Sequence, residues 1–395
     1  MNRDFIELLS SFVNETKPNI SSSPDWQGIL HLGKIHAVYG ILYFAASRLD
    51  ESSKPDRDSQ NRLFNAYYKT VMEMAEKNRI SDCVLNEFNK YGIDAVVFKG
   101  AVIRECYPVP ELRTMGDADI LIRPSDRSLS DKMFSDLKAA VINNNEPIKC
   151  YKCGKMKFEV HTSFSDYSKE KPALRTYFDG MWEHSVPVSE HVRKPDVNYH
   201  FLIILFHTYK HFIYSGCGIR HFMDIALYLK KHESEMDFEY IKQELLYLKL
   251  YKFAQLALFL CSRWFGTPNV FGREYDGEMY ELATDYVLKC GVFGLDYANS
   301  GQKIAEKKTV NKKGLKKTLG KIQFFLKKVF PPFSYMKNRY PYLKKIPVLL
   351  PWAWIVFLSQ QLRYRRKHVV DYTKNIFFGK EDISVLTKLF SKLDI

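Results

Sequence analysis

Residues 113–122 read RTMGDADILI, and this stretch decides how the chain is organised. It opens with an acid-small-acid alternation, Asp117-Ala118-Asp119, and runs into three aliphatic residues, Ile120 to Ile122. In an extended strand successive side chains point to opposite faces, so Asp117 and Asp119 share one face about 7 Å apart. Carboxylates that close repel each other, and a protein gains nothing from the arrangement unless a cation sits between them. Further along, KFEVHTSF (157–164) holds Glu159 between Phe158 and Val160, the centre of a second apolar strand. Laid beside the first strand, it brings a third carboxylate to the same place. Three carboxylates on neighbouring strands make an oxygen-rich site for one or two Mg²⁺ (or Mn²⁺) ions, able to hold a triphosphate and activate an attacking hydroxyl. Upstream, the β-branched run IDAVVF (93–98) stops at Lys99-Gly100. A glycine there lets backbone amides approach phosphate closely, and Lys99 offers a point charge.

Around these segments, Ser125 begins a helix from Asp126 to about Val141, and Cys150–Cys153 and Lys157–Phe164 read as two strands turned at Gly154. Strands alternating with helices over about 100 residues make an α/β unit. Residues before it read as helix, in Trp26–Leu49 and Gln60–Tyr91, and helical periodicity returns at 198–214, 220–232, 237–249, 251–264 and 276–290. The expected fold class is α+β. Its segments are an N-terminal helical stretch (1–92), a mixed-sheet core (93–195), a helical domain (196–300) and a basic C-terminal segment (301–395).

The stretches KGAVIRECYPVPELRTMGDADILI and FEVHTSF resemble the nucleotidyltransferases of the DNA polymerase β-like superfamily. More narrowly, they are similar to an uncharacterised bacterial family that carries Lys-Gly where most members carry Gly-Ser. The resemblance spans Ala95–Phe164. The stretch HTYKHFIYSGCGIRHFMDIALYL and the tryptophan-containing apolar run near the end are also similar to that family. It implies a small mixed sheet with helices and transfer of a nucleoside monophosphate from a nucleoside triphosphate, with release of pyrophosphate. Gly100 then matches the turn glycine, Asp117 and Asp119 the metal pair, and Glu159 the third acid. Arg113 ahead of the pair and His161 after the third acid fit the narrower family. The gap from Gly100 to Asp117 is longer than in most of the superfamily, and the turn lacks serine.

Each residue also has a plainer reading. Arg113 can pair with an acid instead of neutralising the triphosphate, and Lys99 can be a solvated terminus. His161 lies on the face of Glu159, either orienting a metal ligand or serving as an ordinary polar residue. His207 and His211 stand four apart on one helix, and Arg220 and Asp224 four apart on the next. They read as a polar cluster that closes over the nucleotide or locks the helices to the core, with a second metal site as the weaker alternative. GILHLGK (28–34) has phosphate-loop spacing, but Ile35 follows it and no strand precedes it, so it is helix. Cys150 and Cys153 lack a second thiol pair for zinc.

The 395 residues carry a net charge of +14 with 46% hydrophobic residues, which excludes a disordered chain. Seven scattered cysteines and an N-terminus with Asp4 and Glu7 in its apolar stretch suit a cytoplasmic chain without a signal peptide. The charge is concentrated: residues 301–370 hold eighteen Lys or Arg and one acid, Glu306, while residues 1–300 carry a small acidic excess. Such a segment attracts a polyanion or an anionic membrane surface, or is an ordinary solvated face. Within it IPVLLPWAWIVFL (346–358) is too short to span a bilayer. It suits either a helix lying in the headgroup region, making the protein membrane-peripheral, or a buried plug. The acceptor stays open among nucleic acid, a membrane-bound glycan intermediate, a small molecule and a protein side chain. The rival reading is an inactive nucleotide-binding or scaffold protein.

Overall fold

The computed structural model describes residues 2–164, 172–214, 216–292, 326, 329–360, 389, 390, 392 and 393. The chain divides into two compact units. One is Met1–Tyr209 with Gly218–Thr284, and the other is Lys210–Cys217 with Asp285–Ile395.

In the first unit, helices α1 (Asn2–Asn14), α2 (Trp26–Ile35), α3 (Tyr39–Ala46) and α4 (Arg57–Lys90) precede the sheet. The Trp26–Leu49 run is broken in two, with Ala37 at φ 55° between its halves. GILHLGK lies within α2, so it forms no phosphate loop. Helix α4 starts where the Asp56 carboxylate accepts from the Ser59 N–H at 2.9 Å, the N-terminal capping bond a helix needs.

The sheet strands are β1 (Ala95–Phe98), β2 (Asp117–Ile122), β3 (Ala140–Asn144), β4 (Ile148–Cys153), β5 (Met156–His161), β6 (Ser185–Pro187) and β7 (Val192–Pro195). They form one mixed sheet in the order β3-β4-β5-β2-β1-β7-β6. Between β1 and β2 lies α5 (Gly100–Ile103), and between β2 and β3 lies α6 (Arg127–Asp136). The helix read through Val141 therefore ends early, and Ala140–Asn144 forms the exposed edge strand instead. Its residues Val141, Ile142, Asn143 and Asn144 are β-branched or poor helix formers, which favours an extended chain.

Alternation then sorts the strands by face. Val97, Ala118, Ile120, Ile122, Met156, Phe158 and Val160 meet Met74, Val84 and Phe88 of α4 and Met133 and Phe134 of α6 in one apolar core. The opposite face carries Asp117, Asp119, Glu159 and His161, and Phe98 there packs on Phe164, which packs on Phe206. Helix α7 (Pro172–Asp179) lies between β5 and β6, and after the sheet come α8 (Val197–Tyr214), α9 (Ile219–His232), α10 (Phe238–Tyr247), α11 (Tyr251–Phe265) and α12 (Gly277–Cys290). Helices α9 and α11 pack through Phe222 on Trp264, with ring centroids 5.1 Å apart. The fold is α+β, a mixed sheet among helices.

In the second unit, α13 (Phe333–Arg339) and a helical stretch at 350–360 share a small core of Met336, Leu343, Ala353 and Phe357. Among the described residues no helix is long and apolar enough to cross a membrane. Much of the basic segment, 301–325 and 361–370, lies outside the described residues.

Candidate functional site

Strand β2 pairs in parallel with β5, and Asp119 stands directly across from Glu159. On its other side β2 pairs antiparallel with β1, where Phe98 faces Asp119. This register brings the acidic positions of two separate strands onto one face. Asp119, Glu159 and His161 each offer a ligand atom, and these atoms all lie within 4.8 Å of one another. Asp117 sits two residues before Asp119 on the same face, and the three carboxylates form a gradient of exposure. The side chains are 8% accessible for Asp119, 25% for Glu159 and 44% for Asp117.

Basic groups balance these charges. Lys99 Nζ donates to Asp119 Oδ1 at 2.8 Å, and His161 Nε2 lies 3.1 Å from the same oxygen. Burial would raise the Asp119 pKa, but the Lys99 ammonium and the His161 ring outweigh it and hold the carboxyl well below its ordinary range. For Asp117 the balance goes the other way: partial burial, then the like charges of Asp119 and Glu159, push its pKa up. Lys157 donates to Glu159 and stands 3.6 Å from Asp117. Lys157 is absent from the residues singled out in the sequence. Its signal was there, because it lies two positions before Glu159 and so on the same strand face.

The turn at Lys99-Gly100 departs from the expected use of glycine. The left-handed backbone falls on Lys99, at φ 54°, rather than on Gly100. The Lys99 N–H is held by His200 Nε2 at 3.1 Å, a partner 101 residues away that no local pattern announces. Gly100 instead makes room: a Cβ there would lie 2.7 Å from Arg113 Nη1.

Arg113 is engaged away from the carboxylate cluster. Its Nε and Nη2 donate to the two oxygens of Asp224 on α9 at 2.9 and 2.8 Å, and its Nη1 donates to the Gly100 carbonyl at 3.3 Å. Tyr107 donates its hydroxyl to Asp224 at 2.7 Å. Arg220, one turn before Asp224, donates to both oxygens of Thr114. Burial alone would raise the Asp224 pKa, but Arg113 holds it below the ordinary value. These contacts fasten α9 to the connection between β1 and β2. His207 lies near His221, with ring centroids 5.9 Å apart, and His211 follows one turn later on α8.

His200 and His221 are buried, and burial holds their pKa values down to about 3 and about 4. His200 accepts through Nε2, so a proton there would also oppose the Lys99 N–H. An unfolded histidine titrates near 6.5, so between that value and the folded values the unfolded chain binds more protons. Stability is therefore full above about pH 6.5 and drains as pH falls, by up to ~1.4 kcal/mol per pH unit for each histidine. Thermal unfolding between pH 7 and 4.5 is expected to show this decline, and His200→Gln is expected to make it shallower, with His221 still contributing. A profile unchanged by the substitution would contradict the assignment.

Two solved structures similar to this chain are of ANT(2'')-Ia. The solution structure of this antibiotic-resistance factor is 11% identical, with a TM-score of 0.33, covering 45% of this chain and 94% of that one. The crystal structure in complex with adenylyl-2"-tobramycin is 12% identical, with a TM-score of 0.31, covering 44% and 97%. No curated protein matches the chain. The sequence profile of a family described as uncharacterised nucleotidyltransferase does match, over residues 22–266. That is more than half of the chain and includes every strand of the sheet. A profile of that reach, laid over the strands that carry Asp117, Asp119 and Glu159, decides the matter: this chain belongs to the uncharacterised nucleotidyltransferase family.

Proposed function

We propose that the protein transfers a nucleoside monophosphate from a nucleoside triphosphate to an acceptor hydroxyl or similar group, with Mg²⁺ or Mn²⁺ as cofactor. The observation that carries this reading is the convergence of Asp119, Glu159 and His161 within 4.8 Å, with Asp117 beside them. The donor set, carboxylate oxygens gathered within 4.8 Å on one sheet face, fits a hard divalent cation. Asp117, Asp119 and Glu159 would hold it, and His161, whose Nε2 lies 3.1 Å from Asp119 Oδ1, would orient that carboxylate. When bound, the cation supplies charge stabilisation at the α-phosphate and makes the acceptor hydroxyl easier to deprotonate.

The chain's own groups do the rest. Lys99 and Lys157, which balance the carboxylates in this structure, would meet triphosphate oxygens once a cation takes over that balance. Gly100 contributes through the space it leaves for Arg113, and Arg113 contributes by fixing the connection that carries Lys99. The acceptor oxygen forms a bond to the α-phosphorus, the α–β anhydride breaks and pyrophosphate leaves. The acceptor proton passes to a carboxylate, for which Asp117 is the most exposed of the three.

A pyrophosphate-release screen tests this. It covers the four ribonucleoside triphosphates with Mg²⁺ or Mn²⁺ and cell extract as the acceptor source, followed by mass spectrometry of whatever gains a nucleotide. Pyrophosphate release matched by a labelled nucleic acid, glycan intermediate, small molecule or protein is the expected result. Nucleotide binding by calorimetry without pyrophosphate release from any acceptor would overturn it in favour of an inactive scaffold.

A further inference from the structure

We propose that the second unit docks on the surface of an anionic lipid bilayer through the outward face of residues 346–355, independently of the chemistry proposed above. The helical stretch at 350–360 turns Ala353 and Phe357 into its small core, and Trp354 donates its indole N–H to the Pro331 carbonyl at 2.8 Å. A helix on a water-facing surface presents polar residues on its other side. Here the other side is apolar as well. Trp352 and Ile355, three apart on the helix, are 59% and 58% exposed, and Ile346 and Val348 in the turn just before it are 48% and 80% exposed. The inner core therefore accounts for only half of this apolar run.

The charge beside it selects the partner. Lys344 and Lys345 are exposed immediately before Ile346, and Arg339 is exposed at the end of α13. A second copy of the chain would bring the same lysine pair to the contact and repel it. A nucleic acid would satisfy the lysines but leave Val348, Trp352 and Ile355 in water. The headgroup region of an anionic bilayer satisfies both sets. Trp prefers that depth, aliphatic side chains enter the acyl boundary by roughly 5–10 Å, and Lys stays with the phosphates.

The test is flotation of the full chain with vesicles of phosphatidylcholine alone or mixed with phosphatidylglycerol, at low and high salt. The expected result is recovery with the mixed vesicles, reduced by salt and absent with phosphatidylcholine alone. Trp352→Ser with Ile355→Ser is expected to lower binding about tenfold or more, and Lys344→Glu with Lys345→Glu by a similar factor. These positions are exposed, so circular dichroism melting is expected to match that of wild type. Recovery of wild type entirely in the soluble fraction at low salt would overturn the proposal. So would binding unchanged by the Trp352/Ile355 pair, which would leave only diffuse attraction to the lysines. A shift from dimer to monomer in that pair, with no vesicle binding by wild type, would assign the face to self-association and overturn it too.

Discussion

Asp119→Asn is expected to lower nucleotidyl transfer by about a thousandfold or more while leaving the protein folded. Asp119 is the most buried of the three carboxylates and faces Glu159 directly across the β2–β5 pairing. Its charge is the one most shielded from water, so a cation placed beside it feels the largest attraction. Asparagine keeps an oxygen for the Lys99 and His161 contacts at 2.8 and 3.1 Å, so the local hydrogen bonds survive. It also relieves repulsion among three neighbouring carboxylates, which offsets part of the weakened ion pair with Lys99. The measurement is pyrophosphate release together with Mn²⁺ titration of the nucleotide-free protein. Both are expected to fail together, with the variant still folded by circular dichroism at the assay temperature but melting below wild type, because Lys99 loses its buried counter-charge. A variant that keeps more than about a tenth of the wild-type rate would remove Asp119 from the chemistry.

The second large effect concerns stability. Arg113→Met alone is expected to cost about 3–5 kcal/mol, because it leaves the Asp224 carboxylate buried without its guanidinium. Both side chains are less than one-tenth exposed. The paired change Arg113→Met with Asp224→Leu is expected to recover most of that loss, since neither charge then remains unpaired, although Tyr107 loses its acceptor. Urea unfolding of the two single variants and the double gives the coupling directly. Activity of the double variant separates the two readings of Arg113. If its role is to hold α9 against the β1–β2 connection, the refastened protein retains much of its rate. A stable double variant with no activity would return Arg113 to the triphosphate.

The acidic cluster was legible because its signals are local. Asp-Ala-Asp before an apolar run fixes which face the acids take, and β2 begins and ends where that pattern does, Asp117–Ile122. The strand around Glu159 and the later helices follow from the same periodicities, as does the turn at Gly154, which lies at φ 54°. What escaped depends on partners far along the chain. Asp224 is 111 residues from Arg113 and His200 is 101 from Lys99, so no spacing rule could pair them. Strands β6 and β7 were missed because they are short and hold proline and charge, Ser185–Pro187 and Val192–Pro195, where a strand usually shows an apolar alternation. The break at Ala37 escaped because apolar residues continue through it and only the backbone changes.

The pairing of β2 with β5 has a consequence for how this chain tolerates change. One alternation writes two messages: even positions of β2, Ala118, Ile120 and Ile122, fill the core, while Asp117 and Asp119 line the opposite surface. Deleting a single residue from either strand would exchange those roles, driving carboxylates into oil and aliphatic groups onto the acidic face. Point substitutions can erode one message at a time, whereas a frame slip erases both. Length drift in this family should therefore collect in the connections, such as 99–116, and spare the two strands themselves.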